Sequence, residues 1–292
     1  MMSRQWTIEN YMIAFLDVLG QSDTVLSLKQ LPRTKEERTT AAEILDNTAG
    51  YILDLRSYFD GFIEARDKPT GLLDKLPPEQ RKRAEQMRRI NVEWRGLSDS
   101  IVMIVPLFDD NERCTSMSSI LSVLFGVCGI FVMSLVSRKP FRGGIDIGWG
   151  VKLPKDEVYG SALVKAVKLE GEVAKHPRIV IGESLWEYIN SVVKLQATTI
   201  EGKMATKNAE TSKSLITTDS DGKHILDVIG SSVHDIGGGI TPEFVKSSYE
   251  FIVETHNHLN SVGDTKLSPR YSNLRSYFES RLHIWGIQPI KR

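Results

Sequence analysis

A chain that contains ILSVLFGVCGIFVMSLV, Ile120 to Val136, must keep that run from water, either in a bilayer or beneath the rest of its own fold. The run is slightly short for a membrane span and is interrupted by serines and glycines. We read it as a buried helix, with a capped start at Ser116, Ser118, Ser119 and Ser122 and a small-residue face against a sheet. At 292 residues and 41% hydrophobic, the chain has enough material to cover it. The formal net charge is +0, so no global field draws in nucleic acid or an anionic membrane, and any phosphate must be held by a local site. Cys114 and Cys128 have neither metal nor disulfide-framework spacing, which fits a reducing cytoplasm, and MMSRQWTIENY has no apolar signal core.

The candidate for a local site is MIAFLDVLGQSD, Met12 to Asp23. Ile13 to Leu16 read as a strand buried on both faces, Asp17 ends it, and Gly20 breaks the pattern. The backbone amides of Val18, Leu19 and Gly20 are then placed to face a phosphate. Asp99, in WRGLSDSIVMIVP, sits at the tip of a hairpin between Asn91 to Arg95 and Ser100 to Val105. Two carboxylates at the ends of neighbouring strands suit a hard divalent cation on a nucleotide, because magnesium takes a few protein oxygens plus phosphates. The plainer alternatives are a helix-capping or turn acid at Asp17 and a turn residue at Asp99.

Along the chain, Thr24 to Leu31 read as a first helix whose N-terminus helps hold phosphates, Pro32 to Arg38 as a solvated segment, and Ala41 to Arg66 as a long amphipathic helix. Asp67 to Pro78 reads as a loop, and the basic run Glu79 to Arg89 as a solvated helix face rather than a nucleic-acid patch, since no aromatics interleave with its charges. PFRGGIDIGWGVK is a strand in which Gly143 and Gly144 permit close backbone approach, and Asp146 reads as a solvated strand residue. A helix is expected from Ala162 to about Ala174, a strand at Arg178 to Ile181, a helix at Glu183 to Val193, and a hairpin over Ser214 to Ile229 turning at Asp219 to Gly222. Gly237 to Gly239 read as a hinge before two closing helices, Pro242 to Leu259 and Tyr271 to Trp285. His256 and His258 fall on different sides of the first of these and make no metal pair. Tyr51 and Tyr58 read as core or interface aromatics before base-stacking ones. The class is α+β, a mixed and largely antiparallel sheet with helices packed on it.

Four segments in order, AFLDVLG at Ala14 to Gly20, RGLSDSIV at Arg95 to Val102, FRGGIDIG at Phe141 to Gly148 and VYGSALVKAVKLE at Val158 to Glu170, resemble the class III nucleotide cyclases, most closely the bacterial Pycsar pyrimidine cyclases of antiphage defence. The resemblance implies a ferredoxin-like cyclase fold over residues 1–235, with a C-terminal helical extension, 236–292, packed on the same domain. It implies a homodimer whose chains share each active site, two divalent cations, Mg or Mn, and a separate effector that senses the cyclic nucleotide. Asp17 and Asp99 become the metal carboxylates, with the Val18 carbonyl as a further ligand. Arg95 falls where adenylate cyclases place a base-reading lysine, Glu157 where they place a base-reading aspartate, and Lys168 where an arginine neutralises phosphate charge. Val164 stands where the family commonly has a ribose-orienting asparagine, and Lys165 is an alternative to Lys168. Arg95 offers donors and Glu157 acceptors, which suits uracil, cytosine also, and adenine without contradiction. The resemblance orders the substrates as UTP, then CTP, then ATP. Arg95 and Glu157 as plain surface charges, and a catalytically inactive nucleotide-binding module, remain the other readings.

Overall fold

The computed structural model describes residues 6–28, 30–66, 77–107, 113–154 and 157–290. Its sheet has eight strands. The central strand, β1 (Ile8–Val18), is antiparallel to β3 (Ser100–Leu107) on one side and to β4 (Phe141–Lys152) on the other. β2 (Glu93–Leu97) makes a hairpin with β3, and β5 (Val158–Gly160) folds back on the end of β4. Beyond β4 come β6 (Ile179–Ile181), which is parallel to it, then β8 (His224–Leu226) and β7 (Ile216–Thr218). The α+β class with a mixed, mostly antiparallel sheet is therefore as expected.

Side-chain alternation divides the sheet cleanly. Met12, Ala14, Leu16 and Val18 of β1 face the main core, while Tyr11 and Ile13 face a smaller cluster with Val102, Ile104, Ala162 and Ala166. The main core is built on α5 (Arg113–Val136), where 89% of the apolar window is inside the fold. It starts earlier than the sequence suggested, so Ser116, Ser119 and Ser122 lie within the helix, fully buried, rather than at its cap. Ser118, Ser119 and Ser122 also accept hydrogen bonds from other elements. Ser119 Oγ accepts from Asn91 N (2.8 Å), Ser122 Oγ from Arg66 Nη2 (2.9 Å), and Ser118 Oγ from Asn208 Nδ2 (3.0 Å).

Several helix boundaries differ from expectation. The first helix, α1, is Gln21–Leu26 and not Thr24 to Leu31. The segment taken as solvated contains the start of α2 (Lys35–Leu45), where Thr34 and Glu37 form a capping box. A π-helical turn at Asp46–Gly50 joins it to α3 (Tyr51–Arg66), whose Tyr51, Leu55, Phe59 and Phe62 are buried against α5. Tyr51 is thus a core aromatic, its hydroxyl donating to Lys139 O at 3.0 Å. Most of the loop after α3 lies outside the described residues, and the basic run forms α4 (Pro78–Met87). Next come α6 (Ser161–Lys168), continued by π turns at Leu169–Ala174, and α7 (Glu183–Val193). α8 (Ile200–Ser214) and the short α9 (Ser231–Ile236) were not expected. The supposed hinge is a turn with φ of 76°, 67° and 92° at Gly237, Gly238 and Gly239, pressed on Phe125. The closing helices are α10 (Pro242–Ser261) and α11 (Ser268–Glu279), and their Val245, Tyr249, Ile252, Leu274 and Phe278 join the same core as α5.

His176, ahead of β6, shows how this packing couples to pH. Burial, helped by the nearby Arg178 charge, lowers its pKa from 6.5 to about 4. The native state therefore prefers the neutral ring. Between those two pH values the unfolded chain binds the extra proton, so this group's contribution is complete above about 6.5 and is lost as pH falls towards 4. The loss should reach about 3 kcal/mol. Urea unfolding of wild type and His176→Asn from pH 7 to 4 should show a flatter profile in the variant; parallel profiles would refute the assignment.

Candidate active site

Two strand ends and a helix meet on the face of the smaller cluster. Asp17, second to last in β1, is in register with Ser100 on β3 and Arg142 on β4. It alternates with Tyr11 and Ile13, so its carboxylate emerges on their side of the sheet. Ser100 Oγ donates to Asp17 Oδ1 at 3.2 Å, and Arg142 Nη2 lies 3.8 Å from Asp17 Oδ2. Arg142 Nε donates in turn to Glu170 Oε1, and Glu170 is buried.

Asp99 occupies the β2–β3 turn, preceded by Ser98 at φ 57°, and its carbonyl accepts from Val18 N at 3.2 Å. That bond ties the hairpin tip to the end of β1. The Asp17 pKa is raised, first by burial, then by the charge of Glu170 and then by that of Asp99, against opposition from Ser100 and Arg142. Asp17 and Glu170 thus share the Arg142 guanidinium, and the charge of Asp99 bears on Asp17 as well. The repulsion felt at Asp17 is what a bound cation would relieve.

Close approach of α6 makes this arrangement possible. An added Cβ at Gly144 would lie 2.4 Å from Ala166 O and 2.9 Å from Glu170 N, and one at Gly148 would lie 2.6 Å from Ala162 N. The glycines of GGIDIG therefore let α6 and its π turns rest on the strand backbone, which sets Glu170 beside Arg142. Sequence reading passes over both of these residues. The signal for both lies in the cyclase-like segments themselves, with Arg142 directly before the paired glycines and Glu170 at the end of the helix they receive.

Asp146, expected on a solvated face, is buried between the same glycines. Its Oδ1 accepts from Leu185 N at 2.9 Å, so it caps α7 from a neighbouring strand. Gly182 leaves it room, since a Cβ there would fall 2.1 Å from the carboxyl carbon. Lys165 serves the same junction. Its Nζ donates to Ser184 Oγ (2.7 Å) and Ile147 O (3.0 Å) and stands 4.0 Å from Asp146 Oδ2. Lys168, on the last turn of α6, is exposed and has no hydrogen-bond or ion-pair partner among the described residues. Of the two lysines, Lys168 is the one at liberty to meet a ligand.

The phosphate-facing amides need correction. Val18 N is used on Asp99 O, and Leu19 N donates to Pro140 O at 2.9 Å, so both close the sheet instead of cradling an anion. Gly20, at φ 80°, enters neither bond. α1 begins directly after Gly20, at Gln21, with no side-chain cap.

Glu157 stands apart from the two aspartates, whereas Arg95, four residues before Asp99, lies two steps along the β2–β3 hairpin from the Leu97–Ser100 pair that neighbours Asp17. Arg95 is paired with Val102, Nη2 donating to Glu93 Oε2 and Nη1 to Trp94 O, each at 2.9 Å. Glu93 Oε1 accepts from Lys152 Nζ at 3.1 Å, and Lys152 pairs with Val158, one residue past the exposed Glu157. A polar row thus runs from Arg95 towards the β4–β5 end. Asp17 pairs with Arg142, at the opposite end of β4 from Lys152. The ten intervening steps of strand make that separation roughly 33 Å.

Among the described residues, no group of three or more His, Cys, Asp or Glu side chains is arranged to hold a metal. Two carboxylates and a strand-end carbonyl still fit magnesium or manganese when substrate phosphates complete the coordination. A scan against protein-family models finds no match to this chain, and searches of curated proteins and of solved structures find none similar to it.

Proposed function

We propose that the protein is a nucleotide cyclase of the class III type, converting a pyrimidine nucleoside triphosphate, UTP before CTP, to its 3′,5′-cyclic monophosphate and pyrophosphate. The observation that carries this reading is the nearness of Asp17 and Asp99, at the ends of β1 and the β2–β3 hairpin, close enough for the charge of one to act on the other. Connectivity supports it as well. A strand, helices, two strands, a helix and a strand, arranged β2-β3-β1-β4 with antiparallel neighbours, follow the order expected of a ferredoxin-like unit.

Asp17, Asp99 and the Val18 carbonyl would hold two divalent cations. Bound there, these would lower the pKa of the ribose 3′-hydroxyl and brace the triphosphate. The 3′ oxygen, after losing its proton, forms the new bond to the α-phosphorus as the bond to the β-phosphate oxygen breaks, and pyrophosphate departs. Lys168 supplies a mobile positive charge for the phosphates, without an arginine's bidentate fork. Arg95 donates to base carbonyls and Glu157 accepts from a base N–H or amino group.

The distance between the aspartate end and the Glu157 end of one chain favours a site completed by a second copy. Production of a cyclic nucleotide for a separate effector in antiphage defence follows from the sequence resemblance. Incubation with each of the four NTPs and manganese, followed by analysis for cyclic products, tests the activity; absence of any cyclic product rejects it, and cyclic AMP alone rejects the substrate order. Mixing Asp17→Ala with Arg95→Ala chains should restore part of the activity, because one of the two interfaces in a heterodimer is then intact. Verified heterodimers without rescue would place the whole site within one chain.

A further inference from the structure

We propose that Glu170 is a positioning residue that holds the Arg142 guanidinium off Asp17 and so keeps one carboxylate oxygen open for a divalent cation. The proposal rests on the assignment of Asp17 as a cation ligand, and it adds what keeps that ligand available. Arg142 has two acids beside it. Its Nε donates to Glu170 Oε1, whereas its Nη2 stops 3.8 Å from Asp17 Oδ2, too far for a hydrogen bond. Asp17 Oδ1 accepts from Ser100 Oγ at 3.2 Å, and Oδ2 accepts no hydrogen bond among the described residues. A charge-assisted contact at about 2.8 Å between guanidinium and carboxylate is the stronger arrangement. Something therefore restrains Arg142.

The restraint is built into the backbone. Arg142 and Asp17 are in register on β4 and β1, so their side chains rise from the same face of the sheet. Glu170 comes from the π turns that continue α6, and its side chain is only 8% exposed. Gly144, two residues beyond Arg142 and on the same face, lets those turns down onto the strand. An added Cβ there would stand 2.5 Å from Leu169 Cβ and 2.9 Å from Glu170 N. Packed in this way, Glu170 cannot follow Arg142 towards Asp17. The side chains of Arg142 and Asp17 keep 23% and 26% of their surface exposed, so a cation from solvent can reach Asp17. Without Glu170, the acid left beside the guanidinium is Asp17, and the fork closes on it. A cation must then displace an ion pair before it can bind.

The test reads manganese binding by the full chain without nucleotide, from the loss of the free-ion signal in electron paramagnetic resonance at one neutral pH. Glu170→Met, which removes both the charge and the acceptor, should weaken binding by roughly tenfold or more. Glu170→Gln keeps an acceptor for Arg142 Nε and should weaken it less. Arg142→Gln has no guanidinium to restrain and should bind manganese at least as tightly as wild type. Glu170→Met added to Arg142→Gln should then have far less effect than it has alone, a coupling that a purely structural role for Glu170 does not produce. Equal losses in the two backgrounds overturn the proposal, because the charge of Glu170 alone then accounts for them. Unweakened binding in Glu170→Met, or weaker binding in Arg142→Gln than in wild type, overturns it as well. Failure of the nucleotide assignment looks different: wild type binds no manganese, or Asp17→Asn binds it equally, and the present proposal falls with the cation ligand.

Discussion

Asp17→Asn should lower cyclic-nucleotide formation by about a thousandfold or more, with no loss of fold. Asparagine keeps the shape and an acceptor for Ser100, but it removes one of the carboxylates on which cation binding depends. The stability change should run the other way. Folding raises the Asp17 pKa, through burial first and then the charges of Glu170 and Asp99, so at neutral pH the ionised form is held at a cost. The amide carries no such cost, and without divalent cations the variant should melt at the wild-type temperature or above it. Manganese should raise the melting temperature of wild type and leave Asp17→Asn nearly unmoved, because only a ligand that binds the native state stabilises it. This thermal comparison needs no substrate. Activity within tenfold of wild type, or an equal manganese shift in both proteins, would remove Asp17 from the site.

What the sequence discloses is mainly what local pattern encodes. β1, the Asp99 hairpin and α5 are legible because apolar runs stop at glycine or at a polar turn. Long-range register is not. Arg142 and Glu170 meet only because α6 crosses back over β4, a contact between residues far apart in the chain. Asp146 looks solvated by alternation, yet α6 and α7 cover the face to which it points. The Val18 and Leu19 amides look available until the neighbouring carbonyls of Asp99 and Pro140 claim them. α8 escaped notice for a different reason. It buries Ala205, Ala209 and Ser212 against neighbouring helices, and such a small-residue stripe produces little hydrophobic contrast. The α2 start, by contrast, was readable: Thr34 followed three residues later by Glu37 is a capping-box pattern.

Arg178→Leu should destabilise the fold by about 3 to 5 kcal/mol. The guanidinium is 7% exposed and joins three segments. Nε donates to Ala174 O (3.0 Å) and Nη2 to Val173 O (2.7 Å) at the end of the π turns, while Nη1 reaches Asp219 Oδ2 (2.5 Å) and Nη2 Asp221 Oδ2 (2.7 Å) in the β7–β8 turn. Its own carbonyl accepts from Gly143 N at 3.0 Å, which anchors the strand edge to β4. Leucine fills the volume but leaves two carbonyls and two carboxylates without this donor. The desolvated Asp219 then loses its partner, which costs more than the intact pair contributes. A double variant, Arg178→Leu with Asp219→Leu, should therefore be less destabilised than the sum of the single changes, because one uncompensated carboxylate is gone. Acid titration supplies the sign. The Asp221 pKa is lowered, chiefly by its hydrogen bond from Arg178, so the pair's contribution is complete above the ordinary carboxylate pKa and disappears as pH falls through the depressed value. Urea unfolding of wild type should steepen in that acid range, and that of Arg178→Leu should not. Additive losses in the double variant, or a single-variant loss below about 1 kcal/mol, would show that water or rearranged neighbours replace the guanidinium's bonds at little cost.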